Sequence, residues 1–423
     1  MKKIINLIFC LSIIFILSSC GKKEEVFTPV LDTTTDCKIS IVGSYDNFEA
    51  LELEFDRFND YYPNVKLQYT KLDDYNNILS TALEGNDKPN IFFSYTWIIG
   101  NEKYDSVVSH MEDLSNKDLN ININCLREAL VNHDVDGEVL MVPVFSRTYG
   151  MLVNNDLFKK EKQKVPTTWD KLIGVGDALI KKGYKSPMMG YSKDSSNCFM
   201  NTIAYPIFLA TLSKNSEALS LANNLDPQAG PYMREALESV KYLVDSKIVD
   251  LDECDKINNN YNDVIMRFFE GDVPMMICNA DTASGTKKRE KKSEAFTNNP
   301  FKYSFAPIPM TDGGYFIDSP SVEFSVNKNC DNLDMTNEFM RFLISNKELN
   351  MISSTKGLVT PTKKISFDSL YVPFSKIPAK RIISPEVLGI KDPLAGQIKN
   401  ASFRVGRAEL TIEEAIAKYG SIA

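Results

Sequence analysis

Four acidic residues, Asp46, Asp281, Asp318 and Glu323, could supply the carboxylate pair that glycoside hydrolysis needs. Nothing in the sequence sets their separation, and no Gly-x-Ser-x-Gly nucleophile turn accompanies them. Histidine chemistry is short of parts, because the 423-residue chain has only His110 and His133. The eight cysteines, at 10, 20, 37, 125, 198, 254, 278 and 330, are scattered with no Cys-x-x-Cys pair. Zinc motifs need tight ligand spacing, so no metal site is expected, and the spacing fixes no disulfide pairing. What remains is recognition chemistry. Two short segments, Ser44-Tyr45-Asp46 and Tyr95-Thr96-Trp97, combine aromatic faces with hydroxyl and carboxyl groups.

The elements around these segments place them at strand ends. Lys38 to Gly43 reads as a short apolar strand. Asp46 could cap the helix that follows, with Glu49 completing a capping box. Phe48, Leu51, Phe55, Phe58 and Tyr62 then recur at helical spacing until Pro63 stops them. Val65, Leu67 and Tyr69 alternate as a strand. Tyr75, Ile78, Leu79, Ala82 and Leu83 form a second helical face, and Pro89 to Ser94 a third strand. This β-α-β-α-β opening predicts a mostly parallel sheet with helices on both faces. Ligands bind such sheets beyond the carboxyl ends of the strands, where Ser44, Tyr45, Asp46, Tyr95, Thr96 and Trp97 lie. Downstream, Met233 to Leu243, Val264 to Phe269 and Met335 to Leu343 read as helices, and Val273 to Cys278 as a strand.

The N-terminus carries an export signal. Lys2 and Lys3 precede an almost wholly apolar run, Ile4 to Leu17, shorter than the ~20 residues a bilayer-spanning helix needs. It ends in Leu17-Ser18-Ser19-Cys20-Gly21, which resembles a bacterial lipoprotein signal. A diacylglyceryl group on Cys20 would anchor the chain, since each buried methylene contributes about 0.8 kcal/mol. Residues 1–19 are then signal peptide and 20–36 a flexible tether without apolar periodicity. The formal charge of -8 becomes -8 - 2 = -10 once Lys2 and Lys3 are removed. Such acidity argues against nucleic acid as a partner.

An ordered set of motifs carries a family resemblance. Tyr62-Pro63-Asn64-Val65, Lys88-Pro89-Asn90-Ile91, Asp136 to Pro143, Gly150 to Phe158 and Val165 to Asp170 come first. Phe268 to Met276, Phe324 to Lys328, Asn337 to Leu343 and Lys356 to Pro361 follow. The chain resembles the extracellular solute-binding proteins of ABC importers, in the sugar-binding branch that includes maltose-binding protein. The resemblance implies a periplasmic-binding-protein-like α/β fold: two lobes, a ligand cleft between them and three hinge crossings. It places the crossings near Val144 to Arg147, Tyr303 to Ile308 and Val359 to Lys364. The first lobe is then 37–145 plus 306–361, the second 146–305 plus 362–423.

The resemblance further implies capture of a solute, carbohydrate first, and its delivery to the transmembrane subunits of a permease at the extracytoplasmic face. Peptide, polyamine, polyol, metal chelate or phosphate ester are the alternative cargoes, and a sensor the alternative employment. It implies no catalysis and no cofactor. A monomer is expected, because a swinging lobe gains nothing from a large subunit interface. A sugar site wants aromatic platforms rimmed by carboxylates, amides and arginine. Candidates are therefore Ser44, Tyr45, Asp46, Tyr95, Thr96 and Trp97 from the first lobe, and Arg147 and Tyr149 at the first crossing. Asn279 and Asp281 follow the Val273 to Cys278 strand, and Asp318 and Glu323 lie beyond Gly313-Gly314-Tyr315. Asp194 and Asn197 are weaker candidates. The family often carries tryptophan near 280, where this chain has none, which argues against a large stacked oligosaccharide.

Overall fold

The computed structural model of the chain describes residues 26–46, 48–134, 136–195, 198–364 and 369–422. The signal segment, Cys20 and Asn197 lie outside them. Two separate cores organise the molecule. The first surrounds a five-stranded sheet of order β2-β1-β3-β11-β4. Its strands are β1 (Cys37–Gly43), β2 (Val65–Lys71), β3 (Ile91–Ser94), β4 (Val142–Arg147) and β11 (Ser319–Val326). Strand β1 pairs in parallel with both β2 and β3, and β11 runs antiparallel to β3 and β4.

Helix α1 (Glu49–Asn59) buries Leu51, Phe55 and Phe58 against this sheet, with acids in its first turn and Arg57 in its last, as the helix dipole favours. Helix α2 (Tyr75–Glu84) buries Tyr75, Leu79 and Leu83. The capping box expected at Asp46 does not form. Phe48 occupies the cap position because its ring is fixed among Tyr45, Tyr69, Phe93, Phe145 and Phe324. Asp46 turns instead to Lys71 Nζ at 2.6 Å.

The second core surrounds a sheet of order β6-β7-β5-β8. Its strands are β5 (Tyr149–Asn154), β6 (Met188–Met189), β7 (Met275–Asn279) and β8 (Tyr303–Ala306). Helix α3 (Phe199–Leu212) is buried on all sides but Thr211 and packs on α4 (Arg234–Asp245) and α8 (Asp392–Gly406). Helix α5 (Ala280–Arg289) leaves the end of β7. A three-stranded ribbon, β12 (Ile382–Ile383), β10 (Gly313–Ile317) and β9 (Ile308–Met310), belongs to the same core through Ile308, Met310, Tyr315, Ile317 and Ile383. The second crossing therefore lies at Asp318, between β10 and β11, and not at Tyr303 to Ile308. Residues 306–317 belong to the second lobe, because their apolar side chains fill its core. The first passage is Thr148, between β4 and β5.

The expected tether is also corrected. From Phe27 the chain lies on the first lobe: the Phe27 ring meets Tyr61 at 5.1 Å and Phe342 at 5.3 Å, edge-on. Phe342 belongs to α6 (Leu333–Leu343), which α7 (Asn346–Lys356) follows. An apolar ring with an aromatic socket within reach has no reason to stay in water.

One side chain binds the three passages together. Arg127 donates through Nε and Nη2 to both carboxylate oxygens of Asp318, at 2.7 and 2.8 Å. Nη2 also donates to Ser146 Oγ at 2.9 Å, and Nη1 to the carbonyls of Thr360 and Thr362. All five guanidinium donors are used. Ser146 stands at the first passage, Asp318 at the second, and Thr360 and Thr362 on the return from α7. Asp318 is only 4% exposed. Arg127→Met should therefore cost about 3–5 kcal/mol in urea denaturation, because it leaves a buried carboxylate without its partner. Adding Asp318→Leu should recover much of that loss. A cost below ~1 kcal/mol for the single variant would show that the clamp carries little.

Candidate ligand-binding cleft

The strand ends of both sheets open onto one cleft of about 710 Å³, within the roughly 300–1,000 Å³ range of small-molecule sites. Thr96, Trp97 and Asn132 line it from the first lobe, and Arg147, Tyr149 and Ser319 at the passages. Asn279 and Asp281 line it from the second lobe, with Tyr191, Tyr205, Tyr261 and Glu386.

Trp97 sits in a short turn, Thr96–Ile98, that directly follows β3. Ile98 is buried and pins the turn, while Trp97 stays 41% exposed. Its ring stacks on Tyr95 at 5.9 Å and 12°, with Tyr104 edge-on at 5.0 Å. Tyr95 is thus the support of the platform, and Ser44 Oγ lies 3.3 Å from the Tyr95 hydroxyl. The close approach of Gly43 belongs to the same construction: a Cβ there would fall 2.6 Å from the Phe93 ring. Tyr45 packs edge-on to Phe48 and Phe93, and burial pushes its phenol up to about 12.

Arg147 extends from the end of β4, 53% exposed along its side chain. Its Nε donates to Ser321 Oγ at 2.8 Å and faces Asp281 Oδ2 at 3.6 Å across the lobes. Asn279 Oδ1 accepts the Thr282 N–H at 2.9 Å and so caps α5, which holds Asp281 in the first helical turn. Tyr149 begins β5 and meets the Tyr205 ring edge-on at 6.0 Å. Tyr191 donates its hydroxyl to Asp194 at 2.6 Å.

The candidates therefore divide. Thr96, Trp97, Arg147, Tyr149, Asn279 and Asp281 meet in the cleft wall. Ser44, Tyr45 and Tyr95 are not part of the lining, although Tyr45 lies near enough to feel Arg147 and Asp281. Asp46 is held by Lys71, and Asp318 is consumed by Arg127. Glu323 faces Ser94 and Pro143 across β11 and is buried at 2% exposure. Sequence reasoning passed over Asn132, Tyr191, Tyr205, Tyr261 and Glu386. Their only signal was polarity beside aromatics, as in Asn260-Tyr261, which is common at any surface turn.

The known proteins answer to this geometry. A family model described as "Bacterial extracellular solute-binding protein" matches residues 55–371 of the chain. The chain belongs to that family. Among solved structures, the apo form of RafE from Streptococcus pneumoniae superposes with a TM-score of 0.71 at 16% identity, covering 94% of this chain and 98% of its own. MalE, the sugar-binding protein from Xanthomonas citri, gives 0.70 at 16% identity, covering 91% of this chain and 95% of its own. The sugar transporter BL01359 from Bacillus licheniformis, solved with stachyose, gives 0.60 at 16% identity, covering 92% of this chain and all of its own. A comparison with curated proteins finds no match. The extracellular solute-binding fold thus accounts for the two lobes and the cleft between them. Among the described residues no cluster of His, Cys, Asp and Glu could hold a metal, and no helix is long and apolar enough to cross a membrane. Cys37, Cys198, Cys254, Cys278 and Cys330 are free thiols.

Glu323 is the electrostatic oddity of this solute-binding protein. Its Oε1 and the nearby Asn132 Nδ2 are both buried without a hydrogen-bond partner. Burial first, and then the charge of Glu386, push its carboxyl up to about 8, and the Thr96 N–H offsets this only in part. Glu386 is raised as well, chiefly by burial. A carboxyl raised on folding contributes stability that is complete below its unfolded pKa, about 4.3, and is lost as pH rises through its folded value. Unfolding measured from pH 5 to 9 should therefore show the wild type losing stability relative to Glu323→Gln, with the variant ahead by about 1–4 kcal/mol at pH 9. Glu54, pushed up to about 9 on α1 by burial, behaves alike in both proteins and cancels in the difference. Parallel curves would show that Glu323 ionises freely.

Proposed function

We propose that the protein captures an extracellular carbohydrate by closing its two lobes on it and delivers it to an ABC permease, without chemical change. The observation that carries this reading is the make-up of the cleft. Five aromatic rings, Trp97, Tyr149, Tyr191, Tyr205 and Tyr261, offer flat apolar faces. Amides and hydroxyls such as Asn132, Asn201, Thr202 and Asn279 surround them. The charged groups are of both signs, with Arg147 and Lys391 against Asp281, Glu386 and Asp392, and burial raises the Glu386 carboxyl. A neutral polyhydroxylated ligand suits such walls better than a phosphate or a polyamine. The stachyose in the Bacillus licheniformis structure is of that class.

Closure on ligand is a population shift, and its extent is limited by the extra contacts the closed form makes. Ligand bridging Trp97 in one lobe and Tyr205 in the other would supply them. In this reading Cys20 bears the lipid that keeps the protein at the extracytoplasmic face of the cell membrane, and the protein works as a monomer without a cofactor. Neither role needs a reactive group in the cleft.

Two tryptophans make the test direct. Trp97 lines the cleft, while Trp169 lies on a separate groove with Tyr242. Titration with raffinose and stachyose should change intrinsic fluorescence saturably, and the sugar should be recovered intact. Trp97→Phe should remove most of the signal and Trp169→Phe should keep it. Trp97→Ala should weaken binding by about 30-fold, roughly 2 kcal/mol, as for a buried aromatic anchor. No response to any mono- or oligosaccharide, with a clear response to a peptide or polyamine, would refute the carbohydrate assignment. Cleavage of the bound compound would refute the transport role.

A further inference from the structure

The N-terminal segment makes more bonds to the first lobe than a passive linker needs. The Arg341 guanidinium lies 4.3 Å over the Phe27 ring and donates through Nη2 to the Thr28 carbonyl at 2.7 Å. The Val30 N–H donates to Glu338 Oε1 at 3.1 Å, and the Leu31 N–H to the Tyr62 hydroxyl at 3.2 Å. Tyr62 in turn donates to Glu338 Oε1 at 2.6 Å. Glu338 is 3% exposed, so the segment completes the bonding of a buried carboxylate that Arg341 already pairs at 2.7 Å. The chain then runs directly into β1 at Cys37. Among the described residues these hydrogen bonds and ring contacts of residues 27–31 all fall on the first lobe.

We propose that residues 26–36 are a docked strap that holds the first lobe, by its Phe58–Tyr61–Phe342 face, close to a phospholipid surface, so that the second lobe is the one that swings. The inference rests on the reading that Cys20 carries the lipid. Its scale follows from chain geometry. A free tether from Cys20 to Cys37 could reach about 60 Å, at roughly 3.5 Å per residue. With Phe27 docked, only residues 21–26 separate the lipidated cysteine from the lobe, and the reach falls to about 25 Å. A lobe held that closely keeps one face toward the bilayer, whereas a lobe on the longer tether tumbles. A permease in the same membrane would then meet a cleft of fixed approach rather than a freely rotating one.

The test uses full-length lipidated protein on phosphatidylethanolamine–phosphatidylglycerol vesicles that carry a head-group spin label. A fluorescent amino acid replaces either Asp60, exposed at the end of α1, or Glu217, exposed on the second lobe. Quenching at Asp60 should exceed that at Glu217 at least threefold. Phe27→Ala should bring the two toward equality. Ten Gly/Ser residues inserted between Val26 and Phe27 should do the same while leaving every strap contact in place, which separates loss of tethering from loss of folding. Equal quenching in the unmodified protein, or a ratio unmoved by both changes, would overturn the strap while leaving the lipid anchor standing. Failure to co-sediment with the vesicles would overturn the anchor itself, and the inference with it.

Discussion

The structure depends on one guanidinium. Arg127 spends its five donors on groups drawn from all three passages between the lobes. Each of those groups would be costly to bury alone, and Asp318 most of all. The pair with Asp318 is bidentate, a geometry that lysine could not reproduce. The clamp is buried where the strands cross, so it ties the three passages to one another. A pair of lobes that touched only through flexible strands would have no common pivot.

The cleft inherits its geometry from that point. Arg147 follows Ser146 by one residue, and Ser319 follows Asp318, so both project from residues the clamp holds. Tyr149 opens β5 just beyond. Trp97 and Tyr205 line the same space from opposite lobes, so a rotation of one lobe changes their separation. The strap at Phe27 lies on the first lobe.

Local patterns in the sequence were a reliable guide to the first lobe. The β-α-β-α-β opening, the helical faces at Phe55 and Leu79 and the turn at Trp97 all follow from spacing of apolar residues, which acts over a few positions. Asp46 was misread because its cap competes with a salt bridge to Lys71, 25 residues away, and because Phe48 is claimed by the core. The second crossing was placed at Tyr303 to Ile308 by the family resemblance, whereas only packing shows which core Ile308 and Tyr315 fill. Arg127 carries no local signal at all. Its importance comes from partners up to 235 positions distant. Half the candidate site was legible for the same reason: strand ends are local features, whereas Tyr191, Tyr205 and Tyr261 reach the cleft only through the fold of the second lobe.

In the proposed function the two lobes pivot about the Arg127–Asp318 clamp and close on a bound solute. The most direct measurement is the distance between spin labels placed one on each lobe across the cleft mouth, by pulsed electron resonance, with and without the sugar that binds. Closure about the clamp predicts a distribution that shortens by several Å at saturation and broadens when Arg127 is replaced by methionine. A distance unchanged by saturating sugar would contradict it.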